Sequence, residues 1–248
     1  MDMYDTGHLY DRLQVLEREE MPLGRRERLS SMERPLLAWY SSRARSLPWR
    51  DDPKPYRVWI SEIMLQQTRV EAVKPYFERF MEAFPTVSHL AQAEDDYLMK
   101  MWEGLGYYNR VRNLQKAAIQ IMEDYGGVMP DSYEELLKLK GIGSYTAGAV
   151  SSIAYGKPNP AVDGNVLRVI ARVRKDERCI SEDKVKKAVE KDLWEVIPTD
   201  RPGDFNQAMM ELGAVVCVPN GVAKCEECPL GHFCLARKHG TVEELPVK

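Results

Sequence analysis

Leu139-Lys140-Gly141-Ile142-Gly143, a small apolar helix, and then Val162-Asp163-Gly164-Asn165 form the stretch on which the reading of this chain turns. Two glycines one residue apart, set between helical segments, leave backbone N–H groups bare at a helix N-terminus. A phosphate can approach the main chain closely at such a point. Residues 144–155 read as the following helix, with Ala147, Ala149, Val150, Ile153 and Ala154 apolar. The loop Gly156-Lys157-Pro158-Asn159-Pro160 carries the chain to Asp163, a lone carboxylate placed to open a third helix. Such an arrangement holds a nucleic-acid backbone with one part and presents an acid with the next.

Outward from this stretch the pattern stays helical. Asp131-Ser132-Tyr133-Glu134 reads as a capping box opening the helix that enters the hairpin. Ser30-Ser31-Met32-Glu33 reads as another, with Ser30 as N-cap and a stripe of Leu36, Leu37 and Tyr40 behind it. A helix is expected to begin at Trp59, its apolar face made by Ile60, Ile63, Met64 and Leu65, with Glu62 in its first turn. Further helices are expected over about 70–84, 86–91, 94–103, 109–125, 164–173, 182–196 and 204–216. No segment alternates with period 2, so the expected fold class is all-α.

The 248 residues allow one large domain or two intertwined helical ones. Residues 1–29 read as a polar N-terminal extension. No apolar run approaches ~18 residues and the N-terminus carries no hydrophobic signal region. A cytoplasmic protein with no membrane partner is expected. The net charge of −3 argues mildly against a nucleic-acid partner. A local basic face is nevertheless enough to hold phosphates. Candidate stretches are 25–28, 43–50, 110–116 and 172–175, most of which, taken singly, read as solvated helix faces.

Of five cysteines, four lie close together: Cys217, Cys225, Cys228 and Cys234, spaced C-x7-C-x2-C-x5-C. In a chain without secretory features, such clustering points to a metal and not to disulfides. A structural zinc commonly uses two CxxC knuckles, and only one is present. The uneven spacing also suits a larger body such as a [4Fe–4S] cluster, and spacing alone leaves the two open. Cys179 stands apart and reads as a plain buried or half-buried thiol.

Glu62 and Asp163 each have an ordinary reading. A first-turn glutamate suits the helix macrodipole, and Asp-Gly-Asn before an apolar run is an ordinary N-cap. The sharper reading takes Glu62 as partly desolvated among Ile60 and Ile63, which raises its pKa toward general-acid use. Capping and catalysis are compatible at Asp163, because a capping carboxylate is held rigid, stays ionised and can face a developing cation. Tyr107 and Tyr108 read either as core or as base-stacking aromatics.

Together these motifs resemble the helix-hairpin-helix DNA glycosylases, and the cysteine cluster resembles their iron–sulfur branch. Pro48-Trp49-Arg50, residues 59–68, Val162-Asp163-Gly164-Asn165-Val166 and residues 205–214 closely resemble the catalytic domain of the MutY adenine glycosylases. The resemblance covers about 30–248 and implies two helical lobes around a cleft. One would be a six-helix lobe over about 49–165 that carries the hairpin, and the other an iron–sulfur lobe of about 30–48 plus 166–248. It implies a monomeric base-excision enzyme that removes adenine mispaired with 8-oxoguanine or G in double-stranded DNA, after flipping the base out of the stack. By resemblance Glu62 is the acid and Asp163 stabilises the sugar cation, a two-carboxylate logic like that of glycoside hydrolases. Tyr145 and Asn165 would support Asp163 and the reacting sugar. Trp49, Arg50, Leu65 and Gln207 would line the adenine pocket, while Gln67 and Tyr107 wedge into the duplex. Gly141 and Gly143 would grip phosphate, with a monovalent or calcium ion on the carbonyls of Leu137, Leu139 and Ile142. Cys217, Cys225, Cys228 and Cys234 would hold a [4Fe–4S] cluster.

Lyase-competent relatives place a lysine two residues after the second hairpin glycine, to form a Schiff base. Tyr145 stands there, which implies a monofunctional glycosylase. The chain departs from the pattern in having Lys140 where proline is usual and one extra residue in the first cysteine spacing. No Nudix-like second domain is expected in it. A thymine–guanine mismatch glycosylase on the same scaffold is the nearest alternative, and a non-catalytic, metal-stabilised DNA-binding module is a more distant one.

Overall fold

A computed structural model describes residues 24–248, so the first part of the N-terminal extension lies outside the described residues. The helices are α1 (Arg25–Ser30), α2 (Glu33–Arg43), α3 (Pro55–Leu65), α4 (Val70–Ala83), α5 (Val87–Ala91), α6 (Asp95–Trp102) and α7 (Asn109–Asp124). They continue as α8 (Tyr133–Leu136), α9 (Ser144–Ile153), α10 (Gly164–Arg174), α11 (Asp183–Trp194), α12 (Pro202–Val215) and α13 (Leu235–Lys238). No strand forms among the described residues, and the all-α expectation is borne out.

Two apolar cores organise these helices as two lobes. The first is built on α3 to α9, around Trp59, Phe77, Phe80, Trp102 and Ile121. The second joins Leu29, Leu36 and Tyr40 near the N-terminus to Val166, Ile170, Phe205 and Leu212 far along the chain. Burying an aliphatic or aromatic side chain of this size contributes roughly 1.5–3 kcal/mol, so each lobe is stable through its own interior. The chain crosses between lobes twice, through the loop before α3 and through the Gly/Pro loop before α10. Both crossings border the same cleft.

Three local expectations are corrected. The Ser30 capping box does not form: Ser30 ends α1, its hydroxyl donates back to the Arg26 carbonyl at 3.2 Å, and α2 starts at Glu33 without a side-chain cap. Residues 25–29, read as extension, are folded, with Leu29 buried in the second core. The second capping box shifts by one residue, Ser132 accepting the Glu135 N–H while Asp131 pairs with Lys157 at 2.7 Å.

A fourth difference bears on the site. α3 begins at Pro55 and not at Trp59, so Glu62 falls in its last turn. Proline at the first helical position gives up only an N–H that has no partner there, and its fixed φ suits the start. At the C-terminal end the macrodipole discourages an ionised carboxylate, the reverse of the first-turn reading.

The hairpin lies between α8 and α9. Gly141 has φ +79°, and a Cβ there would lie 2.8 Å from Asn113 Cβ on α7, so the turn requires glycine both for its backbone and for its packing. Gly143 is extended and opens α9 with space around it.

Candidate active site in the cleft between the lobes

The cleft has a volume of about 550 Å³ and receives side chains from both lobes. Glu62, Leu65, Gln67 and Tyr145 enter from the first, and Asp163, Asn165, Gln207 and Met210 from the second. Trp49 and Arg50, on the loop before α3, close one wall. Trp49 is only 6 % exposed and lies edge-on to Phe77 at 5.5 Å, so most of its ring belongs to the first core.

Glu62 is 5 % exposed. Burial pushes its carboxyl up to about 7; the Tyr145 hydroxyl and Arg50 oppose the rise and the Asp163 charge adds to it. Tyr145 donates to Glu62 Oε2. Burial and the two nearby carboxylates lift the phenol well above its usual range, so it stays a donor. This differs from the sequence expectation, which gave Tyr145 to Asp163.

Asp163 is held from the other side. It caps α10, Oδ1 accepting the Val166 N–H at 2.8 Å, and Oδ2 accepts the Asn165 amide at 2.6 Å. Burial raises this carboxyl too, against the opposing pull of those two donors and of the Arg168 guanidinium. Capping therefore fixes the geometry without keeping the group at its ordinary acidity. Asn165 is fixed in turn, its Oδ1 accepting from Arg168 at 2.7 Å. α12 packs against this network at Gly213, where a Cβ would come within 2.5 Å of Asn165 Cβ. Gly213→Ala is expected to displace Asn165 and cost about 1–3 kcal/mol. A thermal melt should show a midpoint lower by several degrees.

A charged triad lines the pocket, and of its three members sequence reading singled out Arg50 alone. Glu211 accepts Arg45 Nε at 2.6 Å and Arg50 Nη2 at 3.0 Å. Burial works to raise Glu211, but the two guanidinium groups override it and hold the carboxyl below its usual range. Arg50 Nε then donates to the Gln207 Oε1 at 3.1 Å, so Gln207 is presented to the cleft in a fixed orientation. Arg45 and Arg50 share a basic stretch and Glu211 lies in the 205–214 motif, but nothing in the sequence joins the three.

Gln67 and Tyr107 do not sit in the cleft together. Gln67 stands on its rim and also lines a second hollow with Tyr107, Tyr108 and Arg110. Tyr107 is 62 % exposed. Gln67 and Tyr107 have φ of +57° and +48°, left-handed values that cost a non-glycine residue about 1–2 kcal/mol. A third hollow lies between Gln66, Arg110 and the hairpin residues Lys140 and Gly141. Gln66 borders all three, so cleft, aromatic loop and hairpin follow one another along one face.

Cys217, Cys225, Cys228 and Cys234 line a single cavity in the second lobe, floored by Val169, Leu212 and Leu230. Arg172 Nη1 lies 3.2 Å from Cys217 Sγ. Burial raises Cys225 and Cys234 and lifts Cys228 to about 12.

Residues 60–199 match the HhH-GPD superfamily of base excision DNA repair proteins, and the chain belongs to that family. Within it, the chain is similar to the human adenine DNA glycosylase, 44 % identical over 223 residues, which cover 85 % of this chain and 40 % of that one. It is similar also to the adenine DNA glycosylase of Buchnera aphidicola subsp. Acyrthosiphon pisum, 39 % identical over 86 % of this chain and 61 % of the relative. The chain thus spans about half the length of the curated relatives it matches. Among solved structures it is similar to a thermostable thymine-DNA glycosylase, TM-score 0.75 at 28 % identity, over 87 % of this chain and 97 % of that one. A trapped endonuclease III–DNA covalent intermediate gives TM-score 0.73 at 27 % identity, over 87 % and 98 %.

Proposed function

We propose that this protein removes adenine mispaired with 8-oxoguanine or G from double-stranded DNA, by hydrolysis of the N-glycosidic bond. The observation that carries the reading is the pairing of a buried Glu62 with a half-buried Asp163 from the other lobe in one cleft, with Glu62 lifted to about 7 and so still about half protonated at neutral pH. Glu62 donates its proton to adenine N7, which makes the base a leaving group. The N9–C1′ bond breaks, the electron pair leaves with adenine, and the Asp163 carboxylate faces the positive charge developing on the sugar. Water then attacks C1′ and gives its proton to the Glu62 carboxylate, which restores the acid. Trp49, Leu65, Arg50 and Gln207 line the pocket, and the fixed Gln207 amide can hydrogen-bond the flipped base. Gln67 and Tyr107 fill the space that the base leaves. Gly141 and Gly143 present backbone N–H groups to phosphate, with a cation on the carbonyls of Leu137, Leu139 and Ile142.

Four thiols lining one cavity fit a [4Fe–4S] cluster on Cys217, Cys225, Cys228 and Cys234. When bound, such a cluster supplies a rigid cross-link between the end of α12 and the C-terminal segment.

The similarity to adenine glycosylases at 39–44 % identity supports adenine as the base. The similarity to a thymine-DNA glycosylase marks the competing substrate. Single-turnover cleavage of A:8-oxoguanine, A:G and T:G duplexes decides between them. Adenine release from the first two and no thymine release from the third is expected, with no borohydride-trapped adduct because Tyr145 has no amine. Thymine release from T:G without adenine release contradicts the assignment, and binding without release of either base identifies a binding module.

A further inference from the structure

Arg110, at the start of α7, borders the two outer hollows but takes no part in the chemistry described so far. Its guanidinium is nevertheless the most heavily engaged in the first lobe's loops. Nη1 donates to the carbonyls of Ile63 at 2.9 Å, Met64 at 3.0 Å and Gln66 at 2.6 Å. Nη2 donates to Thr68 Oγ1 at 3.3 Å and to the carbonyls of Leu105 at 3.1 Å and Gly106 at 3.3 Å. Its Cζ lies 5.4 Å from the ring centroids of both Trp102 and Tyr107. Its Nε is buried without a partner. The contacts divide between the last turn of α3 with the loop after it, which carries Gln67, and the loop 104–108 that carries Tyr107. These are the two non-glycine residues in the first lobe with left-handed backbone among the described residues. Strain of this kind persists only where the surroundings over-determine it.

We propose that Arg110 is a positioning residue that clasps the Gln67 and Tyr107 loops to each other, so that the two side chains enter the duplex as one preformed wedge. The inference rests on the insertion of Gln67 and Tyr107 proposed above. A planar guanidinium suits the task because its donors point in fixed directions to both loops while its face meets the Tyr107 ring. A lysine keeps the charge but cannot span both sets of carbonyls. Arg110 reaches no group that reacts. Its charge is spent on backbone carbonyls, so its contribution lies in placement and not in phosphate attraction.

Arg110 also binds the carbonyls that follow Glu62 on α3, so the test must separate the two routes. Single-turnover adenine release is measured for Arg110→Lys, Tyr107→Ala and Gln67→Ala, and for Arg110→Lys combined with each. Arg110→Lys is expected to slow release by about tenfold or more, the scale of a misplaced reacting geometry. It should slow release little further once Tyr107 or Gln67 is already alanine. The fall in rate above pH 7 should not move. In a Glu62→Gln background, 2-aminopurine beside the target adenine should brighten on binding, and Arg110→Lys should remove most of that rise. Should Arg110→Lys fail to fold, Thr68→Val carries the same cycle, with an expected loss of about fivefold for one hydrogen bond. Equal losses in all backgrounds, a displaced pH limb, or no loss at all overturns the clasp. Undiminished release by both Tyr107→Ala and Gln67→Ala overturns the wedge itself, and the clasp with it.

Discussion

Glu62→Gln is expected to slow adenine release by about 10³-fold, within the range for loss of a general acid, while affinity for the duplex stays within a few-fold. Glutamine matches the shape of the acid and keeps a hydrogen bond with Tyr145, but has no proton to give to N7. The same substitution should make the protein more stable above neutral pH. The sign follows from linkage: Glu62 titrates at about 7 when folded, against an ordinary value of 4.5. The folded state therefore holds its proton more tightly, and wild-type stability falls as pH rises from 4.5 through 7. At about 1.4 kcal/mol for each tenfold difference in proton affinity, the penalty above pH 7 is roughly 3 kcal/mol. Glutamine carries no such penalty. Denaturant melts at pH 5 and pH 8 should show a gain for Glu62→Gln at pH 8 that shrinks at pH 5. A loss of stability at pH 8 would show that Glu62 is ionised and well paired, and the acid role would fail.

Asp163→Asn is expected to reduce the same activity to a comparable degree, about 10³-fold, because a neutral amide cannot balance the charge developing on the sugar. The structure makes this a clean comparison. Asn keeps a carbonyl oxygen for the Val166 N–H, so the α10 cap survives. Its NH₂ would face the Asn165 amide, which donates to Asp163 Oδ2, and Asn165 is expected to rotate. Product analysis by denaturing gel after alkali, with a circular-dichroism melt alongside, separates lost chemistry from lost fold. Near-wild-type release with a normal melt would remove Asp163 from the mechanism.

Much of this site was readable from the sequence because its signals are local. The Gly141 turn, the Asp163 cap with its Val166 partner, and the cysteine spacing all depend on residues a few positions apart. What escaped depends on partners far along the chain. Tyr145 serves Glu62, eighty-three residues earlier, and no pattern around residue 145 announces that. Arg45, Arg50 and Glu211 form one network across the lobes, yet the sequence shows two arginines on a basic stretch and a glutamate inside an apolar helix. Glu62 was placed in the wrong turn because the apolar periodicity starts at Trp59, while Pro55 four residues earlier sets the helix start. That error reversed the sign of the macrodipole at the key carboxylate. Arg110 looked like surface charge, since burial of a guanidinium beneath two loops leaves no periodic trace. Gly213 gave no signal either, because its requirement is set by the close approach of Asn165 from another helix.

The cleft holds the proton of one carboxyl up to about neutral pH and sets a second carboxyl beside it. Single-turnover adenine release from an A:8-oxoguanine duplex, followed from pH 5.5 to 9, tests this most directly. The predicted rate falls tenfold per pH unit above about 7, the value at which Glu62 loses its proton. A rate that is flat or rising between pH 7 and 9 would contradict it.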